Sequence, residues 1–254
     1  MTLTHYGKDV WLKMLVIAII INVLIFCTAE IGFCPFPIAS ALICFVSLVW
    51  VAAAAFFRDP KREIPADPSL VLSPADGTVR DIELIKGESV ECEELRNLFQ
   101  GQDMLRVGIF LSVFSVHINR VPLAMKIKFR HYKKGAFHDA RDGAAIRENE
   151  AMTIGGICEI DGVKFPVAIK QVSGAIARRI VCPVEAGDTF EKGAQYGMIK
   201  FGSRTELYLP CQGFDITVKI GDGVCGGTST IAKILPAAKD KLALLFKNQE
   251  QLCI

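Results

Sequence analysis

Two uncharged stretches near the N-terminus constrain this chain more than anything that follows them. MLVIAIIINVLIFCTA (residues 14–29), extended backward by Val10, Trp11 and Leu12, and IASALICFVSLVWVAAAAFF (residues 38–57) contain no charged residue. At about 1.5 Å per helical residue, the second run alone matches a hydrocarbon core of about 30 Å. Gly32, Pro35 and Pro37 interrupt helix formation between the runs, so the pattern predicts a helical membrane hairpin over residues 1–57. A cleavable signal peptide is the rival reading, since Ala52 to Ala55 mimic a cleavage site. Two long runs separated by prolines exceed a single signal core, however. The loop TAEIGFCPFP has no Lys or Arg, whereas Lys8 and Lys13 precede the first run and Arg58, Lys61 and Arg62 follow the second. By the positive-inside rule both ends of the hairpin face the cytoplasm, and the rest of the chain with them.

Nearly all the charge of the 254-residue chain lies beyond residue 57. Its net charge of +2 is too balanced for a nucleic-acid partner. Nine cysteines without a C-x-x-C pair read as reduced, mostly buried thiols rather than a disulfide frame or a zinc site. RDPKREIPADPSL (residues 58–70) is charged and carries three prolines, as a linker does.

From Val71 to the end, short β-branched runs alternate with glycine-containing turns every eight to twelve residues, among them VLSPADGTVRDIEL, AMKIKFRHY and VKFPVAIKQV. That spacing predicts a mainly β (α+β) domain of sandwich or barrel type over residues 71–254. SVECEELRNLFQGQDM reads as a short helix or an irregular loop. VEAGDTFEKG (184–193) and VKIGDGVCGG (218–227) share V-x-x-G-D-x-x-x-x-G, with glycines for tight turns and aspartates that bond their own backbone. The repeat is similar to the paired hairpins of biotinyl/lipoyl-type barrels. Between its copies, GMIKFGSRTELYLP (197–210) reads as one strand interrupted by Gly202-Ser203, which is neither a hairpin turn nor a G-x-S-x-G elbow.

Three other stretches offer chemistry. Asp76 in SPADGTV is a turn aspartate when taken alone. His117 in FLSVFSVHINRVP interrupts an alternating apolar strand, where a structural histidine is the ordinary case. Arg178 and Arg179 in QVSGAIARRIVCPV point to opposite sides of a strand. In combination and in chain order, SPADGTV, FSVHINRVP, the ENE of residues 148–150, SGAIARRIVCPVEAGD, YGMIKFGSRTELYLP and VKIGDGVCGGTSTIA resemble the phosphatidylserine decarboxylase proenzymes, in particular their shorter membrane-anchored subclass.

The resemblance implies self-cleavage between Gly202 and Ser203, giving a β chain of residues 1–202 and an α chain of residues 203–254. Ser203 Oγ would attack the Gly202 carbonyl with His117 as base and Asp76 orienting the imidazole. β-Elimination and hydrolysis would then leave Ser203 as a covalent pyruvoyl group that forms a Schiff base with the substrate amine and accepts the electrons freed on loss of CO2. The implied reaction converts phosphatidylserine to phosphatidylethanolamine at the cell membrane. It needs no metal and is compatible with a homo-oligomer. Arg120, Arg178, Arg179 and Arg204 are candidates for the substrate phosphate or carboxylate. Longer relatives have a histidine where Phe114 stands, so that residue's role does not transfer; His131 and His138 are substitutes that read as surface residues. A carrier domain displaying Lys200, a serine hydrolase that keeps Ser203, and a decarboxylase of another serine-linked lipid are the alternatives.

Overall fold

The computed structural model describes residues 2–136, 138, 148–174, 179–200, 203–235, 242 and 246. The chain forms two compact units, Met1–Lys61 and Arg62–Ile254. In the first, α1 (Lys8–Glu30) packs against α2 (Phe36–Ala55). Mean hydropathy reaches 2.6 over His5–Glu30 and 2.4 over Phe36–Ala55, and both helices are long and apolar enough to cross a membrane. Ile17, Leu24, Phe45 and Leu48 are exposed, while the buried positions of the two helices are alanines: Ala18, Ala29, Ala39 and Ala54. Small side chains let helices approach closely, and Asn22 Nδ2 donates across the pair to Ser47 Oγ at 3.1 Å. Gly32 turns the chain at φ +74°, and Pro35 precedes the first turn of α2, where its missing N–H costs nothing.

The second unit is built of strands. The chain enters β1 (Leu70–Leu72), β2 (Gly77–Ile85) and, after the short helix α3 (Glu93–Leu98), β3 (Met104–Leu111). β4 (Ile118–Arg120), β5 (Met125–Lys133), β6 (Ala151–Ile160), β7 (Val163–Ser173), β8 (Arg179–Val181), β9 (Thr189–Phe190) and β10 (Gln195–Lys200) follow. β11 (Ser203–Pro210), β12 (Phe214–Ile216), β13 (Gly223–Val224) and β14 (Thr230–Ile234) complete the described strands. One sheet has eight strands in the order β13-β2-β3-β11-β7-β6-β5-β9; two smaller sheets run β1-β14-β12 and β4-β10-β8.

That order is a palindrome. Exchanging β1 with β4, β2 with β5, β3 with β6, β11 with β7, and β12, β13, β14 with β8, β9, β10 reproduces all three sheets. The first half is therefore β1–β3 with β11–β14, and the second half is β4–β10. Backbone detail obeys the same exchange. β2 and β5 each span nine residues and each breaks its ladder once, at Val79/Asp81 and Ile127/Phe129. Leu72 N donates to Pro122 O while Arg120 N donates to Pro74 O. The V-x-x-G-D repeat is the sequence trace of this symmetry. Gly187 and Gly221 sit at φ +101° and +99°, where glycine is favoured. Asp188 and Asp222 accept from Glu185 N and Lys219 N at 2.9 and 2.8 Å.

In β6, Gly155 and Gly156 are where the Phe129 ring and the Lys126 backbone press against the strand. The mainly β domain and the helical hairpin agree with the sequence pattern; two local readings do not. Residues 197–210 are not one strand, because β10 and β11 belong to different sheets. Of the eight cysteines described, only Cys158 and Cys182 are buried, fewer than the sequence suggests.

β11 lies at the centre of the large sheet and is buried along its whole length. Leu207 and Leu209 join the main core beneath the small sheets, while Tyr208 joins a second cluster with Leu95 and Phe99 around α3. Strand alternation therefore turns Ser203 and Thr205 toward the small sheets, and Arg204 and Glu206 away from them.

Candidate active site

Antiparallel β3 and β11 run together up to the pair Leu111–Ser203. There the chain departs: residues 112–117 leave β3 for β4, and β11 begins three residues after Lys200, the last residue of β10. His117 lies on the outgoing crossing and Ser203 closes the returning one. Gly202, the other half of the predicted scissile bond, lies outside the described residues, as does Arg178.

Ser203 is fully buried between Leu111 of β3 and Ser173 of β7. Its Oγ finds no hydrogen-bond partner among the described residues, and neither does that of Ser173. A buried, unengaged hydroxyl is costly to a fold, which marks the position for something other than packing. His117 is equally buried. Its Nδ1 lies 2.9 Å from Ser115 O. A carbonyl can only accept, so Nδ1 carries the proton and Nε2 of the neutral ring carries the lone pair. That is the tautomer a general base requires.

Connectivity and packing bring this histidine to the Ser203 end of β11. Ile199 N donates to His117 O, and only residues 200–202 separate that contact from Ser203. One step further in, Asn119 Nδ2 donates to Thr205 Oγ1 and Gln171 Nε2 donates to Asn119 Oδ1, both at 2.9 Å. This buried amide chain ties β4 to β11 and β7. Sequence gave Asn119 and Gln171 no distinction; only the fold sets them beside the serine. Asn149 of the ENE stretch closes the other side, donating to Ser173 O at 2.7 Å.

Asp76 is placed differently from its predicted role. Its carboxylate accepts from Arg62 Nη2 at 2.6 Å and from Gly226 N at 2.7 Å, while Ser115 O occupies the His117 nitrogen that Asp76 is expected to orient. Its loop is nonetheless joined to β4, through Arg120 N to Pro74 O. Asp76 thus connects a linker residue, Arg62, with a turn of the last segment of the chain. A Cβ at Gly226 would crowd Ala75 and Asp76 Oδ1 at 3.2–3.3 Å, so the absent side chain permits the approach.

The arginine candidates separate clearly. Arg204 is buried and fully committed: Nη1 and Nη2 donate to the two oxygens of Asp81 at 2.6 Å, and Nε to Glu206 at 2.9 Å. Its guanidinium passes over Gly108 of β3, where any Cβ would collide with it. Arg106 and Lys170 approach the same Glu206, and Tyr208 donates to it at 2.7 Å. Burial alone would raise the Glu206 pKa, but Lys170, Arg204, Arg106 and the Tyr208 hydroxyl together hold it below the ordinary value. Burial and the Glu206 charge push Tyr208 well above its own. Arg120 donates to Gly193 O at 2.9 Å, and Arg179 is exposed on β8.

A cavity of about 770 Å³ opens on this ion-paired face, under α3 and away from Ser203. Its Arg106, Lys133 and Lys170 are paired with Glu83, Glu91 and Glu206. At its rim Cys92, Glu94 and His131 come within 4.8 Å of one another. Hydrogen bonds account for the grouping: Glu94 engages the His131 ring at 3.0 Å and accepts from the Cys92 thiol at 3.4 Å. Burial pushes that thiol up to about 11, so it stays protonated at neutral pH. His138, half-exposed, pairs with Glu148.

The second unit, a β domain that follows an apolar helical hairpin in the sequence, combines a buried serine with a histidine whose Nε2 can act as a base, the two groups an enzyme of nucleophile-and-base type uses. Comparison with known sequences makes this specific. A profile of the phosphatidylserine decarboxylase family matches residues 52–232. The phosphatidylserine decarboxylase proenzyme of Geobacter metallireducens is 44% identical over 182 residues, covering 71% of this chain and 76% of that one. That of Trichlorobacter lovleyi is 41% identical over 181 residues, 70% and 75% of the two chains. The proenzyme of Chlorobium chlorochromatii is 36% identical over 231 residues, covering 91% of this chain and 99% of its own. The chain belongs to the phosphatidylserine decarboxylase family.

Proposed function

We propose that this protein decarboxylates phosphatidylserine to phosphatidylethanolamine, after cutting itself between Gly202 and Ser203 and converting Ser203 to a pyruvoyl group. One observation carries the reading: a buried Ser203 hydroxyl without a partner among the described residues, at the end of β11 where the connection bearing His117 also leaves β3. His117, with its proton on Nδ1, accepts the Ser203 proton at Nε2 as Oγ attacks the Gly202 carbonyl carbon; the bond from that carbon to Ser203 N then breaks as His117 returns the proton to the nitrogen, and the peptide becomes an ester. Elimination across Cα–Cβ of residue 203 then releases Gly202 as a carboxylate, and hydrolysis of the dehydrated residue releases ammonia. Glycine at 202 leaves the approach of Oγ uncrowded.

Ser203 suits the cofactor because Leu111 and Ser173 hold its backbone from both sides, and a small oxygen-bearing group needs no new space there. A pyruvoyl carbonyl supplies an electron sink for decarboxylation of an amine substrate. His117 remains beside it to move a proton at Nε2. Asp76 holds Arg62 and the turn at Gly226 in place, and its loop is tied to β4 by the bond from Arg120 N to Pro74 O. With Arg204 tied to Asp81 and Glu206, the head-group anion is left to other cations. In this reading the hairpin anchors the chain in the cell membrane, and the lysines and arginines that flank it support a cytoplasmic side for the second unit.

Intact-mass measurement of the purified chain tests the proposal. Two fragments divided before residue 203 are expected, the smaller lighter by one ammonia than a serine-initiated peptide. A single full-length mass would end the self-cleavage reading and leave Ser203 as an ordinary nucleophile.

A further inference from the structure

The turn between β3 and His117 breaks a rule of turn composition. Ser112–Ser115 closes as a β-turn, Ser115 N donating to Ser112 O at 2.9 Å with the two serine hydroxyls 3.2 Å apart. Its two central residues are Val113 and Phe114, 44% and 84% exposed. Turn centres favour Gly, Pro, Asn and Asp for backbone reasons, and large apolar side chains exposed to water there are unfavourable. Among the described residues of the second unit the other large exposed apolar side chains, Leu84, Tyr132, Ile220 and Leu235, stand singly. Only Val113 and Phe114 adjoin. The same turn supplies the carbonyl of Ser115 that fixes the His117 ring.

We infer that the Val113–Phe114 turn inserts into the head-group and acyl boundary of a lipid bilayer and draws the substrate toward His117 and Ser203. The inference rests on the proposed lipid decarboxylation. A lipid surface is the occupant because the chain carries two apolar helices of membrane-crossing length, and because the proposed substrate resides in a bilayer while the residues that treat it are fully buried. Its head group must leave the interface to be reached. An apolar tip contiguous with the histidine's own support opens the interface at that point. Val and Phe at an interface gain by burial what they lose in water.

The test reconstitutes the full chain in phosphatidylcholine vesicles and compares two substrates, long-chain phosphatidylserine in the vesicle and monomeric short-chain phosphatidylserine in solution. The double variant V113S/F114S should cut itself normally and keep its turnover of monomers within about twofold. Its turnover of vesicle lipid should fall at least tenfold, and Phe114→Leu should restore most of it. Equal losses on both substrates, or none on either, would overturn the inference. A second measurement does not depend on activity. With Trp11 and Trp50 changed to Phe, the indole introduced by Phe114→Trp should be quenched by lipids brominated on their acyl chains. Absence of quenching sinks the insertion even in an inactive protein, whereas quenching without turnover of either substrate by the unmodified chain would sink the decarboxylase reading and leave the insertion standing.

Discussion

The two halves of the β domain solve the same folding problem and differ at one point. In the second half, β6 and β7 pass the pair Cys158–Phe165, form two further pairs, and close through Asp161–Gly162 at φ +51° and +78°, the backbone of a tight hairpin. In the first half the equivalent pair is Leu111–Ser203, and there the hairpin is open. The entire second half is inserted between its two strands. A closed hairpin satisfies its own end; an open one leaves two crossings with backbone and side chains to place. The candidate site occupies that opening. Ser203 stands where the second half has Phe165, which is buried against Phe214. The symmetry is thus the scaffold, and the candidate site lies where the symmetry fails.

The largest effect should come from erasing that difference. Ser203→Ala removes the hydroxyl and should leave a single uncut chain, read directly by intact mass. His117→Ala should slow cutting by about 10²–10⁴, the range for loss of a general base. Normal cutting in either variant would detach the chemistry from the opening.

A second contrast sits three pairs further along. Gly108 of β3 and Gly155 of β6 are equivalent and serve different partners. Gly108 lets the Arg204 guanidinium reach Asp81, while Gly155 accommodates the Phe129 ring. Gly108→Ala must dislodge a buried ion network and should cost about 3 kcal/mol or more. Gly155→Ala overpacks an apolar contact and should cost about 1–3 kcal/mol. The distinguishing readout is fragment retention. β11 begins at the proposed cut, so Arg204 clamps the start of the smaller fragment's first strand to β2. Only Gly108→Ala should loosen the smaller fragment in size-exclusion chromatography of the cut protein.

How much of this was legible in sequence follows from the same asymmetry. The repeat V-x-x-G-D announced itself because its glycines and aspartates carry fixed backbone roles in both copies. The partner repeat, SPADGTV against VPLAMKI, shares little beyond a proline, because packing tolerates many apolar side chains and records few of them in the sequence. The helical hairpin was plain from hydropathy and proline placement. Ser203, His117 and Asp76 stood out by family resemblance, but their arrangement did not. Nothing local reveals that Ser115 O takes the His117 nitrogen, or that Arg62, in a charged linker that reads as spacer, reaches Asp76. Asn119, Gln171 and Ser173 are commonplace residues until the sheets converge on them.

Asp76 sharpens the contrast between the turns. At Gly226 the later copy of the repeat offers a backbone N–H to Asp76; the earlier copy has Lys192 there, whose Nζ goes to Asp67 O. Asp76→Asn can still accept from Gly226 but gives up the charge that holds Arg62. Cutting should slow about tenfold, equivalent to about 1.4 kcal/mol of barrier, and Arg62→Gln should act in the same direction. Lys192→Ala should leave the rate unchanged. If it slows cutting as much as Asp76→Asn does, the two turns share the function and the asymmetry is misassigned.

The smallest effect is the one the symmetry itself requires. Asp188 and Asp222 each accept the backbone N–H of the residue three before, in turns with matching glycine conformations. Each exposed bond of this kind contributes about 1 kcal/mol. Asp188→Ala and Asp222→Ala should therefore lower the melting temperature of the uncut Ser203→Ala chain by the same amount. In the cut protein the equality should break. Residues 218–227 then belong to a short separate chain whose association depends on its own turns, whereas residues 184–193 remain within the longer one. A greater loss for Asp222→Ala after cutting, and parity before it, would tie the repeat to the division of the chain. Unequal losses in the uncut chain would mean that the two turns, alike in backbone, do not carry equal load.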